Sequence, residues 1–253
     1  IPGEIHAISM TSEINVQWNG VSGATGYDIM VDGNIYDNGN RTLYKHAAVE
    51  PNSVHIYQIR AKRGLDNGEW SEVISAQALV GIPTGLDTVP FSRQIKIAWD
   101  EVKGATSYDI EINGEIIANV KENYHIQTRL EPNSTYKLRI RAKNELGNSE
   151  WSNFVECITS PDIPSGLSAT ETTSEIALNW NLVEGAESYD IEADGIVIPD
   201  MSGSSYVHSG LKSNTRHIYR IRSKNEHAVS EWSGYLTQLT TPEIAVPTRK
   251  DVI

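Results

Sequence analysis

The stretch Gly23-Ala-Thr-Gly-Tyr-Asp-Ile29 occurs three times in this chain in nearly the same form. It returns as Gly-Ala-Thr-Ser-Tyr-Asp-Ile at 104–110 and as Gly-Ala-Glu-Ser-Tyr-Asp-Ile at 185–191, each copy 81 positions after the one before. A fixed period indicates a repeated structural unit, and it overrides any estimate of domain number from length alone.

All six tryptophans follow the same period. They form two sets, Trp18, Trp99, Trp180 and Trp70, Trp151, Trp232. A unit of this length buries about 60–65% of its unfolded surface, which is enough for a core of its own. We therefore predict three domains, at 1–80, 81–161 and 162–242, and a tail at 243–253 that begins whatever follows in a longer parent protein.

Apolar and polar residues alternate through each unit, which is typical of half-buried strands. The first clear strand carries Ile14, Val16 and Trp18, and the next begins after the repeated glycine turn, at Tyr27, Tyr108 or Tyr189. The dipeptides Asp32-Gly33, Asn113-Gly114 and Asp194-Gly195 are those that primed hairpin turns prefer. No segment shows capped helical periodicity. The sequence thus predicts an all-β fold of antiparallel sandwiches.

Composition excludes several classes of partner. The net charge is −12 and the isoelectric point is about 5.0, which argues against nucleic acid and against anionic membrane surfaces. No stretch of 18 apolar residues is present to insert into a membrane. Cys157 is the single cysteine, so no disulfide forms within the chain. We expect a monomer.

An ordered set of short motifs recurs in the units. It comprises Ile-Pro-x-Gly-Leu at 82–86 and 163–167, the early tryptophan, Gly-Ala-x-x-Tyr, Leu130-x-Pro132-x-Ser134-x-Tyr136, Arg-Ala-Lys and Glu-Trp-Ser. Over essentially its whole length, each unit resembles a fibronectin type III domain. The resemblance implies three tandem seven-stranded, immunoglobulin-like sandwiches in an elongated array. It also implies that both tryptophan sets and Tyr27, Tyr108 and Tyr189 are structural.

The resemblance assigns a corner tyrosine to Tyr136, where the first and third units carry His55 and His217. We expect each imidazole to replace the phenol structurally, by donating one hydrogen bond back to the chain. The second strand also carries acids and the third carries bases. The resemblance implies that these strands are neighbours in one sheet, so we expect cross-strand pairs worth roughly 0.2–1 kcal/mol each. The alternative is an exposed patch for a charged partner.

Glu-Trp-Ser recurs at 69–71, 150–152 and 231–233, and we predict that it begins the last strand beside the basic one. An indole flanked by guanidinium groups gives a cation–π contact. The alternative is that these tryptophans stack on sugars.

Few residues suggest chemistry. His46 and His55 recur as His208 and His217, but a two-histidine metal site lacks a third suitable ligand nearby, so we predict no metal. The loop at 37–40 offers oxygen ligands for a weak calcium site, although a chance polar loop is the simpler interpretation. Cys157 should point inward, and neither a phosphate loop nor an activated nucleophile is apparent. We predict a non-enzyme without a cofactor.

The function that fits best is a non-catalytic spacer or interaction module in an extracellular or cell-surface protein. The expected setting is bacterial, for example as an accessory module of a carbohydrate-active enzyme. The module would hold neighbouring domains of the parent chain apart through short, proline-stiffened joints at 79–81 and 160–162. The alternative is a module that binds a protein or glycan through three divergent loops, at Arg63–Gly68, Asn144–Ser149 and Asn225–Ser230.

Overall fold

The computed structural model describes residues 1–244, and these residues form strands, turns and irregular segments only. The all-β prediction is therefore confirmed. Within this part of the chain no helix exists that could cross a membrane. Most of the tail predicted at 243–253, from residue 245 onward, lies outside the described residues.

The first repeat consists of two antiparallel sheets. A three-stranded sheet has the order β1-β2-β5, and a larger sheet has the order β4-β3-β6-β7, with β8 also paired to β6. The strands are β1 (His6–Ser9), β2 (Glu13–Gln17), β3 (Gly26–Val31), β4 (Asn34–Asp37), β5 (Leu43–Ala47), β6 (Val54–Arg63), β7 (Asp66–Asn67) and β8 (Ile74–Gln77).

Both sheets of the first repeat contribute to one buried core. Ile14 and Val16 of β2 are fully buried, as are Ile29 of β3 and Ile59 of β6, and Trp18 packs with them at the end of β2. The inward residues lie two apart along each strand because successive side chains point to opposite faces of a sheet. The repeat is thus a sandwich whose core is supplied by alternate residues.

The second repeat has the same strand orders, β13-β10-β9 in one sheet and β12-β11-β14-β15 in the other, with β16 paired to β14. Its buried residues include Ile95, Ile97 and Trp99. The strands are β9 (Asp87–Pro90), β10 (Gln94–Ala98), β11 (Ser107–Ile112), β12 (Glu115–Val120), β13 (Tyr124–Thr128), β14 (Thr135–Asn144), β15 (Gly147–Asn148) and β16 (Val155–Ile158).

The third repeat is a seven-stranded sandwich with sheet orders β17-β18-β21 and β20-β19-β22-β23. Its core joins Ile176, Leu178 and Trp180 of one sheet to Ile191 and Ile221 of the other. The strands are β17 (Ser168–Glu171), β18 (Glu175–Asn179), β19 (Ser188–Ala193), β20 (Ile196–Met201), β21 (Ser205–Ser209), β22 (Arg216–Lys224) and β23 (Leu236–Leu239).

The last strand differs from its prediction. Glu-Trp-Ser does not begin it, because β8, β16 and β23 start later, at Ile74, Val155 and Leu236. The serine of the motif explains the interruption. In the third repeat, Ser233 N–H donates to Ile221 O, and the Ser233 hydroxyl accepts the Ile221 N–H at 3.0 Å. The side chain thus replaces a backbone acceptor, and the regular ladder resumes only beyond it.

The hairpin turns between the first two strands of each larger sheet, such as β3 and β4, have the predicted chemistry. Asp32 and Gly33 lie at φ of 49° and 86°, and the equivalent residues of the other repeats have similar angles. Two successive positive φ values define a type I′ turn, which glycine, asparagine and aspartate tolerate best.

Backbone contacts divide the chain into two compact units. The first comprises Ile1–Asp87, Ala98–His125 and Lys137–Val155, and the second comprises Thr88–Ile97, Ile126–Tyr136 and the chain from Glu156 onward. The strands of the second repeat are shared between these units. The domain boundaries derived from the 81-residue period remain a prediction.

Candidate functional site

The charged face of the larger sheets is a ladder of ion pairs. In the second repeat, the Asp109 carboxylate accepts hydrogen bonds from Arg141 Nη2 at 2.8 Å and from Lys143 Nζ at 3.1 Å. These residues meet because β11 pairs β14 with Asp109 opposite Arg141. The third repeat has the same arrangement at Asp190, Arg222 and Lys224, and the first has it at Asp28, Arg60 and Lys62.

The acidic side chains of this ladder are buried beneath the basic ones. Asp109 and Asp190 are only 1% and 2% exposed. Burial alone would raise the pKa of the Asp109 carboxyl, but hydrogen bonds from Asn119 N–H, Arg141 and Lys143 outweigh it and leave that pKa below its usual value. The face therefore presents paired cations over satisfied carboxylates, which fits an architectural role better than an acidic patch for a partner.

The outer tryptophans cover the arginines of this ladder. Arg139 and Arg141 lie 4.9 and 4.5 Å from the ring centre of Trp151, and Arg60 lies 4.6 Å from that of Trp70. In the third repeat, Arg220 and Arg222 contact Trp232 in the same way. A guanidinium group thus occupies one face of each indole, which leaves less of the ring for stacking on a sugar.

The inner tryptophans lie in the cores, each in edge contact with a tyrosine of the next strand. The ring centres of Trp18 and Tyr27 are 5.6 Å apart, and those of Trp99 and Tyr108, and of Trp180 and Tyr189, are 5.2 and 5.4 Å apart. Each tyrosine hydroxyl accepts a backbone N–H six residues earlier, as at Val102, at 2.9 Å. The tyrosine of the repeated motif therefore fixes the turn that precedes it.

The corner position behaves differently in the three repeats. The Tyr136 hydroxyl accepts the N–H of Glu131 at 2.9 Å. His55 and His217 do not make the expected bond back to the chain, and that prediction was wrong. Each imidazole instead contacts two side chains, His217 with Asp194 at 2.7 Å and with Thr215 at 2.8 Å.

These histidines belong to a cluster that the sequence analysis missed. Asp194, His208 and His217 place possible ligand atoms within 4.8 Å of one another. The expectation that no third ligand lies near the histidine pair is therefore wrong for the third repeat. Asp194 was overlooked because it belongs to the hairpin turn, 14 positions before His208 in the chain. Its recurrence as Asp32 in the other histidine-bearing repeat was the available signal.

The structure also places two residues that the sequence suggested for chemistry, Asp37 and Cys157. Asp37, in the loop considered for calcium, is already bonded to Lys62 Nζ at 2.8 Å and to Gly39 N–H. Cys157 is buried, and burial raises the pKa of its thiol. Neither arrangement indicates chemistry, because one carboxylate is neutralised and the thiol is held in its unreactive form.

The divergent loops are not equivalent. In the second repeat, Gly147 packs against Leu79 of the first repeat. In the third repeat, Asn225 donates to the Asn133 side chain of the second at 3.0 Å. In the first repeat, the Leu65 side chain at the loop tip is fully exposed. Two of the three loops therefore contribute to contacts between repeats.

At each joint between repeats, an asparagine side chain packs against a glycine of the next repeat. A Cβ on Gly104 would overlap the side-chain amide of Asn52, and a Cβ on Gly185 would overlap that of Asn133. Both glycines also have positive φ, 82° and 72°. In the second and third repeats, two constraints therefore require glycine at the start of the repeated motif. One is the positive φ, and the other is the asparagine side chain of the preceding repeat.

The second joint carries polar contacts as well. Arg93 lies 2.6 Å from the Asp162 carboxylate, and the Ser92 hydroxyl donates to Glu231 at 2.8 Å. The Ser223 hydroxyl donates to the Asp162 carbonyl at 2.6 Å. At the first joint, Gly81 lies against Pro51 and Val102. Neither joint is an extended tether.

Comparison with known proteins places the second repeat in a family. Residues 86–158 match the family described as "Fibronectin type III domain". The chain is 25% identical to Chitinase A1 of Niallia circulans over 62% of this chain and 25% of that protein. It is 36% identical to the poly(3-hydroxybutyrate) depolymerase of Ralstonia pickettii over 31% of this chain and 16% of that protein.

This chain spans a quarter or less of the length of these curated relatives. The solved structure of the chicken CNTN1 FN1–FN3 domains aligns at 18% identity and a TM-score of 0.39, over 95% of this chain and 98% of that one. The family match covers the middle unit, and the flanking units repeat its residues at the 81-residue period. The second repeat therefore belongs to the fibronectin type III family, and the first and third repeats carry its motifs in the same order.

Proposed function

We propose that the chain is a non-catalytic spacer that holds neighbouring domains of a larger extracellular or cell-surface protein at a fixed separation. The observation that carries the proposal is the close packing at both joints, where the Asn52 side chain lies against Gly104 and the Asn133 side chain lies against Gly185. A spacer needs stable units and joints that resist bending, and these contacts supply the second requirement. The bacterial setting is supported by the relatives that are named as a chitinase and a depolymerase, enzymes of polymeric substrates.

The spacer is tested by measuring distances across each joint in the 253-residue chain. Spin labels at Glu72→Cys and Glu115→Cys span the first joint, and labels at Glu115→Cys and Thr237→Cys span the second, in a Cys157→Ala background. We expect a narrow distance distribution for each pair. A broad distribution of the kind given by a flexible linker would contradict the proposal.

A matched set of variants tests the contribution of each asparagine–glycine contact to the stiffness of its joint. Asn52, Asn133 and Asn214 occupy equivalent positions and all have positive φ, so replacement by glycine preserves the backbone at each. Asn52→Gly should broaden the distribution across the first joint only, and Asn133→Gly that across the second only. Asn214→Gly, which lies in neither joint, serves as the control and should change neither distribution.

The second candidate function is ligand binding through the first divergent loop, and the exposure of Leu65 favours it. A glycan array separates the two functions. We expect the chain to retain no glycan. If the chain binds a glycan and the Leu65→Asp variant does not, ligand binding rather than spacing is the function of the chain.

A further inference from the structure

We propose that the third repeat binds a divalent transition metal ion, of the class of Zn²⁺, through Asp194, His208 and His217. Possible ligand atoms of these three residues lie within 4.8 Å of one another. Two imidazoles and one carboxylate form a donor set that zinc uses, with a fourth position left for water.

Both sheets of the sandwich contribute to these three residues, which we call the mouth cluster. His208 lies on β21 of the smaller sheet, whereas His217 lies on β22 of the larger one and Asp194 occupies the β19–β20 turn. Asp194 also lines a shallow surface depression with Gly195 and Ile218, and 40% of its side chain is exposed. An ion can therefore reach the site from solvent.

Hydroxyl partners hold one nitrogen of each imidazole and leave the other nitrogen for the cluster. The Tyr219 hydroxyl holds His208 Nδ1 at 3.0 Å, which leaves Nε2 for a metal. The Thr215 hydroxyl holds His217 Nε2, which leaves Nδ1. Such outer partners, which fix the orientation of each ring, are a regular feature of metal sites.

The close approach of His217 to Asp194 places either a shared proton or a metal ion between the two side chains. The Thr215 hydroxyl lies 2.6 Å from Lys212 O and 2.8 Å from His217 Nε2. His217 Nδ1 itself lies 2.7 Å from the Asp194 carboxylate. Two acceptors at this distance repel unless a proton or a metal ion lies between them. A metal ion, unlike a proton shared by His217 and Asp194, would also bind His208 Nε2.

The second repeat shows which parts of the cluster the fold does not need. Its equivalents of Asp194, His208, His217 and Tyr219 are Asn113, Gln127, Tyr136 and Leu138. Asn113 Oδ1 accepts the Lys137 N–H at 2.9 Å, as Asp194 Oδ1 accepts that of Ile218. One amide oxygen thus completes the turn, so the turn does not need the second carboxylate oxygen of Asp194, which contacts His217 Nδ1 instead.

The first repeat carries the same four residue types at Asp32, His46, His55 and Tyr57. There the two imidazole ring centres are 4.7 Å apart, compared with 5.6 Å in the third repeat. Among the described residues, only the third repeat brings three ligand atoms together. We therefore assign the site to the third repeat alone.

The test is titration of the 253-residue chain with ZnCl₂, followed by long-range NMR of the imidazole nitrogens. We expect Zn²⁺ to shift His208 Nε2 and His217 Nδ1 and to bind with a stoichiometry of one. The variants Asp194→Asn, His208→Gln and His217→Tyr carry the second repeat's own residues, which the same fold accommodates. Each should weaken Zn²⁺ binding by about tenfold or more.

Controls lie in the other repeats. Asp32→Asn should leave the shifts of His208 and His217 unchanged. Three results would overturn the proposal: unshifted nitrogens in the presence of Zn²⁺, equal affinity in the His208→Gln variant, or shifts at His46 and His55 at a lower Zn²⁺ concentration than at His208 and His217. In the first case, the cation between His217 and Asp194 is a proton.

Discussion

The second and third repeats have the same charged face and differ at the mouth of the sandwich. Asp109 and Asp190 each hold an arginine and a lysine, and the distances agree within 0.1 Å. At the mouth, the third repeat has Asp194 and two histidines where the second has only neutral residues. The fold therefore depends on its core and charged face, while the mouth is free to acquire chemistry that differs between repeats.

The largest effect on stability is expected when the core indole is removed from the second or the third repeat. Trp99→Ala and Trp180→Ala should each destabilise their own repeat by about 3–5 kcal/mol, because both leave a cavity where a side chain is 5% exposed or less. Urea unfolding, with hydrogen exchange to assign each transition to a repeat, measures the loss. Clearly unequal losses would show that the two cores are not equivalent.

A smaller effect is expected from the buried carboxylates. Asp109→Asn and Asp190→Asn should each cost about 2–3 kcal/mol, since each leaves two cations without their counter-charge while those cations keep partial access to water. The same unfolding measurement applies. Asp200→Asn, which removes an exposed partner of Lys224, is the control and should cost less than about 1 kcal/mol.

Acid should weaken both repeats together. The pKa values of Asp109 and Asp190 lie below their usual range in the folded chain, because hydrogen bonds to cations and backbone N–H groups outweigh burial. Their contribution to stability is therefore complete above the unfolded pKa of about 3.9 and is lost as the pH falls through the lower folded values. Unfolding midpoints across this range should fall in parallel, and the asparagine variants should flatten the fall.

The smallest effect belongs to the outer indoles. Trp151→Leu and Trp232→Leu remove the ring that covers two arginines and keep an apolar side chain, so each should cost about 0.5–1 kcal/mol. Phe154 and Tyr235 also cover Arg139 and Arg220 and should limit the loss. A cost above about 2 kcal/mol would indicate a role beyond the cation–π contact.

Much of the fold could be predicted because its determinants are local and repeated. Alternation placed Ile14 and Val16 on a strand, and Asp32-Gly33 marked a turn. The resemblance to fibronectin type III domains implied that the acidic and basic strands are neighbours, and Asp109 is indeed opposite Arg141. Each of these signals lies within a few residues and recurs after 81 positions.

The rest depends on contacts between distant residues. Ser233 interrupts the last strand through a side-chain bond to Ile221, which alternation alone does not reveal. The mouth cluster joins a turn to strands of both sheets, and neither its third member nor its spacing forms a local motif. The approach of Asn52 to Gly104 also depends on how consecutive repeats meet, which no pattern within one repeat records.

The asparagine and glycine of the joints have a consequence for how such a chain can lengthen. Every repeat carries the glycine at one end and the asparagine at the other. Duplication of a whole repeat therefore brings both halves of the next junction with it, and no new interface has to evolve. The reach of a protein built in this way could change by gene duplication alone, in steps of one repeat.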